Sequence, residues 1–530
     1  MIIHMVLFHV RLDDTKKSRP RLLTGFGRRP LWRESGLDLL LSKGLVRLRD
    51  RDHDVAMSEK PKMVTIEVPA AWANAVKRFI ESVDAAKPDT RGGRAVDYSA
   101  YERAVEQSAG ELEKEAHRGL LQEFDLDAAQ VFINGKLHTR VGRYEAPYKT
   151  KAGEVKVLRS LYRENGVRNA KTVDPVSLRV GAIEEGWLPD TAKAMAFLVQ
   201  QNPSREAAKA AQQVGRLPYS RSSFERVAHA VGTLYDIVHA EVEDALIEAY
   251  HVPDEARSVS AGLDRVSVPM EEPKKRPVGR PAQDAPKNPV DRNFRMAYVG
   301  TVTLNDAEGE ALHTIRYGRM PSGDPTALCE GLMADIAVLL HQRPELKVQT
   351  LVDGAAEMRN LLAAAVNEST LGKAVYELVD FGHLLQKLTP AAAVIFGEAG
   401  SQVRARWKLS LLNTHGAVWK ILTELRDSAK ESVIVDGKQP VHEAITYLEN
   451  NGERMNYAEA REQGLPIGSG ATEATCKNLF EVRLKRCGAR WHDVTGTHVV
   501  QLRALALSDR WDDGIALTLK ELRAPVRLAS

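Results

Sequence analysis

Apolar and polar positions recur along this chain with two different periods, and the switches between them divide it. From Ala70 to Val83 and from Tyr98 to Phe124 the apolar residues return at helical spacing, with Pro88 to Gly93 as the break. Period two follows. Gln130-Val131-Phe132-Ile133, Asn134-Gly135 and Lys136 to Val141 read as a hairpin, because Asn-Gly readily adopts the left-handed positions of a two-residue turn. Glu154 to Tyr162 and Val176 to Val180 read as further strands. Helical period returns at Asp190 to Leu198 and at Ser204 to Ala211. A turn over Gly215 to Tyr219 then leads into a second helix with a Ser/Arg-rich start at Ser220 to Val227, and residues 230–251 add a longer helix. Two short helices joined by a turn have helix-turn-helix form, with Arg221 and Arg226 placed to reach a DNA groove; the same form is frequent in any helical protein.

The next stretch carries the chemistry. Leu263 to Met270 alternates as a strand and puts Asp264 on the face of Val266, Val268 and Met270. Residues 271–292 are Pro-rich and polar, a flexible loop by composition; Gly279-Arg280-Pro281 within it resembles an AT-hook core but equally suits a solvated loop. Phe294 to Leu304 and Ala311 to Tyr317 read as strands around the Asn305-Asp306 turn. A helix at 326–342, the strand Val348 to Val352 ending in Asp353-Gly354, a helix at 355–366 and a strand at 373–379 ending in Asp380 complete the series. Three antiparallel strands followed by β-α alternation is the order of an RNase H-like mixed sheet. Residues 384–462 are almost wholly helical, an insertion in that sheet. Gly468-Ser469-Gly470 then opens a helix with Glu473 in its first turn, and Cys476, Phe480, Leu484 and Cys487 follow as an apolar stripe along which Glu473 is expected to point.

A carboxylate aimed at a core costs free energy unless a partner or a metal meets it. Asp264, Asp353 or Glu473 taken singly also suits a turn, a cap or an ion pair. Together they point to metal chemistry. Asp380 and His383, three apart at a strand end, read as supporting or DNA-handling residues. Asp380-Phe381-Gly382 is no kinase signature, since no Gly-rich loop, catalytic H-R-D or strand lysine precedes it. Lys477, Arg483, Lys485, Arg486 and Arg490 form a basic cluster suited to a phosphate backbone. The hairpin region is also basic, through Lys136, Arg140, Arg143, Lys149, Lys151, Lys156, Arg159 and Arg163; phosphate contact and a solvated face both fit it.

Composition changes this picture little. The chain has 530 residues, enough for two to four domains, with 43% hydrophobic and 27% charged residues and a net charge of +3. Three scattered cysteines exclude a disulfide framework and suit a reducing cytoplasm, and without a C-x-x-C pair a zinc ribbon is not expected. No apolar run approaches a membrane span, so no membrane partner is expected. Residues 1–62 read as a poorly ordered extension or an upstream start-codon choice, with Met57 and Met63 as alternative starts, and carry no assigned function. The expected divisions are 63–125 helical, 126–255 DNA-binding, 256–383 and 466–530 the α/β core, with 384–465 inserted.

Ile467 to Lys477, Arg483 to Trp491 and Leu502 to Trp511 resemble the signatures of bacterial insertion-sequence transposases of the DDE class, ISKra type, which are related to Mutator-like transposases. Asp264 to Met270, Leu312 to Met320 and Val441 to Asn450 agree with the same family. The resemblance covers most of residues 63–515. It implies an RNase H-like core interrupted by an all-helical insertion, and it maps the catalytic and metal-binding acids to Asp264, Asp353 and Glu473. Asp380 and His383 match the family's Cys-or-Asp, two residues, His motif. The family's aromatic residues near Arg359 and at Gly382 are missing here. The implied activity is DNA cleavage and strand transfer with Mg²⁺, or Mn²⁺ in its place, on double-stranded element ends and target. It implies a homo-oligomer on DNA at the bacterial nucleoid. Two alternatives remain at this stage: a nuclease of the same fold without strand transfer, and a non-catalytic helix-turn-helix DNA-binding protein with a decayed core.

Overall fold

The computed structural model describes residues 46–49, 63–89, 93–273 and 290–529. Most of the 1–62 extension and the loop bearing Gly279-Arg280-Pro281 therefore lie outside the described residues. The chain divides into two units, Met1–Val68 and Pro69–Ser530. In the first, β1 (Val46–Arg49) pairs antiparallel with β2 (Met63–Ile66).

The second unit begins with the two expected helices, Ala70–Ala85 and Tyr98–Glu123; the Asp97 carboxylate caps the latter by accepting from Ser99 N. Next come β3 (Gln130–Ile133), β4 (Lys136–Thr150), β5 (Gly153–Glu164) and β6 (Thr172–Val173), paired antiparallel in sequence order. Asn134 and Gly135 have φ of 50° and 77°, the left-handed pair that a two-residue hairpin turn requires. The strand expected at Val176 to Val180 is instead a helix, Pro175–Val180. Asp174 accepts from Val176 N and Pro175 occupies the first turn, so cap chemistry outweighs the β-branched run.

Helices Pro189–Gln201 and Ser204–Gln213 precede a single 28-residue helix, Arg221–Glu248. The separate helix expected over 230–251 is thus a continuation of the one capped by Ser220, whose hydroxyl accepts from Ser223 N. Gly232 does not break it. A Cβ there would lie 2.4 Å from His498 Cβ, so the glycine permits close approach of the Asp493–Leu507 helix.

The central sheet contains β7 (Ser258–Pro273), β8 (Val290–Asn305), β9 (Ala311–Arg319), β10 (Lys347–Val352) and β11 (Val375–Val379), in the order β11-β10-β7-β8-β9. β7, β8 and β9 are antiparallel; β10 runs parallel to both β7 and β11. The last strand, β12 (Val526–Leu528), joins the other sheet beside β3. Period two gives the central sheet two apolar faces. Val259, Ala261 and Leu263 pack with Leu328, Leu332 and Met358 of the Pro325–Gln342 and Ala356–Ala365 helices. Val266, Val268 and Met270 pack on the other face with Cys476, Leu479, Phe480 and Leu484. Between β11 and the last acid, five helices (Phe381–Phe396, Gly400–Asn413, Ala417–Asp427, Pro440–Asn451, Tyr457–Glu462) close on their own core around Trp407, Leu425, Leu448 and Tyr457.

Candidate functional site

The parallel strands align three acids. Leu351 of β10 stands opposite Gly262 of β7, and Val352 opposite Val379 of β11. Continued to the strand ends, these registers set Asp353 level with Asp264 on one side and with Asp380 on the other. Carboxyl ends of parallel strands are where open α/β sheets carry their ligands. Asp264 also lies on the face bearing Val266 and Val268, as its period-two position predicts.

The fourth acid approaches over that face. The Gly470–Thr475 helix crosses β7 at Gly262, where a Cβ would meet Thr472 Oγ1 at 2.1 Å, and the Thr472 and Thr301 hydroxyls lie 2.8 Å apart. The absent side chain lets the helix bearing Glu473 sit directly on the strand. A π-helical turn, Cys476–Glu481, follows. Its wider winding departs from the helical wheel assumed for the stripe. Cys476 is buried and donates its thiol to Asp264 Oδ2 at 3.2 Å. Burial, then the neighbouring Asp264 carboxylate, push that thiol far above its ordinary range, so it remains a proton donor. Glu473 does not point into the core: its side chain is 53% exposed, with Ser469 Oγ at 3.5 Å and His383 Nε2 at 3.3 Å. Cys487 is exposed as well, because the helix stops at Leu484.

Each acid is held by neutral donors. Asp264 accepts from Arg265 N at 2.7 Å, and Asp353 from Ala355 N at 2.8 Å. Asp380, 2% exposed, receives His383 N at 2.6 Å on one oxygen and Ser469 N at 2.5 Å on the other. It therefore caps the Phe381–Phe396 helix and ties the Gly-rich loop to the end of β11. Among the described residues no lysine or arginine side chain pairs with any of the four acids; His383 alone faces Glu473. Asp380, His383 and Glu473 present ligand atoms within 4.8 Å of one another, the one such group of three among the described residues. Asp264 and Asp353 share the row with Asp380 but lie outside that tighter group. Tyr447, which the sequence did not single out, donates its hydroxyl to the Asp353 carbonyl at 2.6 Å. Burial, then the Asp353 and Asp380 charges, raise its pKa far above the ordinary phenol.

The expected phosphate contacts separate on inspection of their partners. Arg483 is a correction: it is buried at 5% exposure, donates to the Val199 carbonyl at 3.1 and 3.3 Å, and stacks over Trp491. An arginine at the C-terminus of the Pro189–Gln201 helix satisfies an end carbonyl and complements the helix dipole. Lys485 pairs with Glu481 at 2.9 Å, Arg486 with Glu206 at 2.7 Å and Arg490 with Glu271 at 4.0 Å, all partly exposed. Lys477 is exposed and makes no ion pair among the described residues. Arg221 and Arg226 are half-exposed and face Glu225 and Glu185. No helix among the described residues is long and apolar enough to cross a membrane.

No family model and no curated protein matches the chain. Two solved structures are similar to it. The Drosophila P element transposase strand transfer complex aligns with a TM-score of 0.22 and 14% identity over 63% of this chain and 80% of its own. The Mos1 transposase paired-end complex with left transposon end aligns with a TM-score of 0.16 and 14% identity over 52% of this chain and 77% of its own.

Proposed function

We propose that this chain is a DNA transposase of the insertion-sequence DDE class, resembling the ISKra type, with an RNase H-like core that Asp264, Asp353 and Glu473 equip for phosphoryl transfer. The observation that carries the reading is the in-register row of acids at the ends of β7, β10 and β11, with Glu473 carried over the same face and no cationic side chain in contact apart from His383. The strand order β11-β10-β7-β8-β9 and the all-helical insertion before Glu473 support the fold assignment.

The donor set fits a hard divalent cation. Its ligands are carboxylate oxygens with one imidazole nearby, and uncompensated carboxylates repel one another until a cation arrives. Mg²⁺ is the natural occupant and Mn²⁺ its substitute, held by Asp264, Asp353 and Glu473. A pair of such ions, roughly 3.5–4 Å apart, activates an attacking oxygen and stabilises the leaving one. The chain's own residues orient these ligands. The Cys476 thiol and Arg265 N fix the Asp264 carboxylate, Ala355 N fixes that of Asp353, and Asp380 fixes the loop before Glu473. Water opens the element end to leave a 3′-hydroxyl, which then attacks target DNA. Double-stranded DNA lies along Lys477, Lys485, Arg486 and Arg490. The helix-turn-helix segment offers Arg221 and Arg226 to the terminal repeat. Within the domains set out above, joining two ends calls for a homo-oligomer on DNA, at the nucleoid in the cytoplasm.

Incubation of the full chain with its flanking element ends and Mg²⁺ or Mn²⁺ tests this. Metal-dependent joining of a preprocessed 3′-hydroxyl end to a plasmid is the expected result. Cleavage without joining points to a nuclease of the same fold, and DNA binding without either step to a decayed core.

A further inference from the structure

β10 ends at Val352, so the Asp353 carbonyl lies one residue past the strand's last paired position. The main chain turns at once, with Gly354 at φ +87°, and the Asp353 carboxylate caps the turn through Ala355 N. The donor to the Asp353 carbonyl comes from another part of the molecule. Tyr447 Oη, on the Pro440–Asn451 helix of the insertion, reaches it at 2.6 Å. The tyrosine ring also rests on the turn: a Cβ at Gly354 would lie 2.7 Å from Tyr447 Oη and 3.1 Å from two ring carbons. That helix is itself fixed, since Val441, Ala444, Ile445 and Leu448 are all in the insertion core.

We infer that Tyr447 is a positioning residue for Asp353: the helical insertion, through this hydroxyl and ring, sets the angle at which the second acid meets a divalent cation. The inference rests on the metal-dependent reading above. It gives the insertion a role in organising the metal site, because the strand alone leaves the Asp353 turn free on one side. A buried group that orients a metal ligand is worth roughly tenfold to a hundredfold in metal affinity.

The test compares the full-length protein, Tyr447→Phe and Tyr376→Phe. Tyr376 supplies the control, since its hydroxyl also bonds a carbonyl of the insertion, Asn456 O at 3.0 Å, without reaching an acid. Titration with Mn²⁺ alone, followed by electron paramagnetic resonance, is expected to show affinity lowered about tenfold in Tyr447→Phe and unchanged in Tyr376→Phe, at similar melting temperatures. Hydrogen exchange at the Gly354 and Ala355 amides, without metal, is expected to accelerate in Tyr447→Phe alone. Wild-type Mn²⁺ affinity and unchanged exchange in Tyr447→Phe overturn the inference. A wild-type protein that binds no Mn²⁺ removes the metal reading itself, whereas faster exchange in the variant still establishes that Tyr447 holds the Asp353 turn.

Discussion

Two five-stranded sheets in one chain handle acidic residues in opposite ways. Around β3 to β6 the acids are neutralised by the protein: Arg143 bridges Asp125 and Asp127, Arg140 also pairs with Asp127, Arg159 meets Asp174 at 2.8 Å, and Lys136 meets Glu164 at 3.0 Å. At the ends of β7, β10 and β11, Asp264, Asp353 and Asp380 share one row, and no arginine or lysine among the described residues answers them. An acid that the fold has compensated is a structural part. A row left uncompensated is stable in company with a cation from outside. The difference also bears on the basic hairpin region, whose arginines at 140, 143 and 159 are engaged within the protein.

The sharpest way to break this comparison is to remove one carboxylate from each sheet. Asp353→Asn is expected to lower metal-dependent DNA cleavage at least about a hundredfold, the order lost when charge stabilisation of a transition state is removed. Its melting temperature without metal is expected to hold or rise, since a repulsion is relieved, and the rise on adding Mn²⁺ is expected to shrink. Calorimetric scans with and without Mn²⁺ check both. A fall in metal-free stability would make Asp353 a structural acid like those of the other sheet.

Asp335 shows a third solution, retention of the proton. It lies on the Pro325–Gln342 helix, packed under the central sheet, and accepts the Tyr317 hydroxyl at 2.5 Å. Burial pushes its pKa up to about 7, against the opposing pull of the Tyr317 bond and Arg510. The folded protein thus keeps a proton that the unfolded chain releases near pH 4. The associated stability is present below pH 4 and is lost as pH rises toward 7, at up to about 1.4 kcal/mol per pH unit. Asp335→Asn is expected to flatten urea-unfolding free energies across that window and to be the more stable protein at pH 8, by up to about 4 kcal/mol.

A smaller effect is expected from the compensated sheet. The Asp125 side chain is 2% exposed and accepts from Ser160 N at 2.7 Å, Ser160 Oγ at 3.2 Å and Arg143 at 2.9 Å. Asp125→Ala is expected to cost about 2 kcal/mol in urea denaturation and to leave Mn²⁺ affinity untouched. A change in metal affinity would erase the contrast between the sheets.

Much of the scaffold was legible because its periods are clean. Leu263 to Met270 alternates and forms part of β7, Val348 to Val352 lies within β10, and Asn134-Gly135 forms its turn. The misses have local causes. A helical wheel assumes one winding, and the π-turn at Cys476–Glu481 changes it just beyond Glu473. Val176 to Val180 has strand-like side chains, but Asp174 and Pro175 start a helix. Tyr447 carries no signal at all in the sequence, since the carbonyl it holds is separated from it by most of the insertion.

The basic cluster supplies the smallest and most discriminating prediction, because sequence groups five residues that the fold treats differently. Lys477 is exposed and makes no ion pair among the described residues, whereas Arg483 spends its guanidinium on the Val199 carbonyl and the Trp491 ring. Each phosphate contact releases counterions, so losing one lowers the slope of log affinity against log salt by roughly 0.9. Lys477→Ala is expected to show that change, alike on specific and unrelated duplexes, in fluorescence anisotropy across a salt series. Arg483→Ala is expected to keep the wild-type slope and instead lower the melting temperature, because it opens the end of the Pro189–Gln201 helix. If Arg483→Ala altered the slope and Lys477→Ala did not, DNA would have to meet the protein on a different side from the acid row.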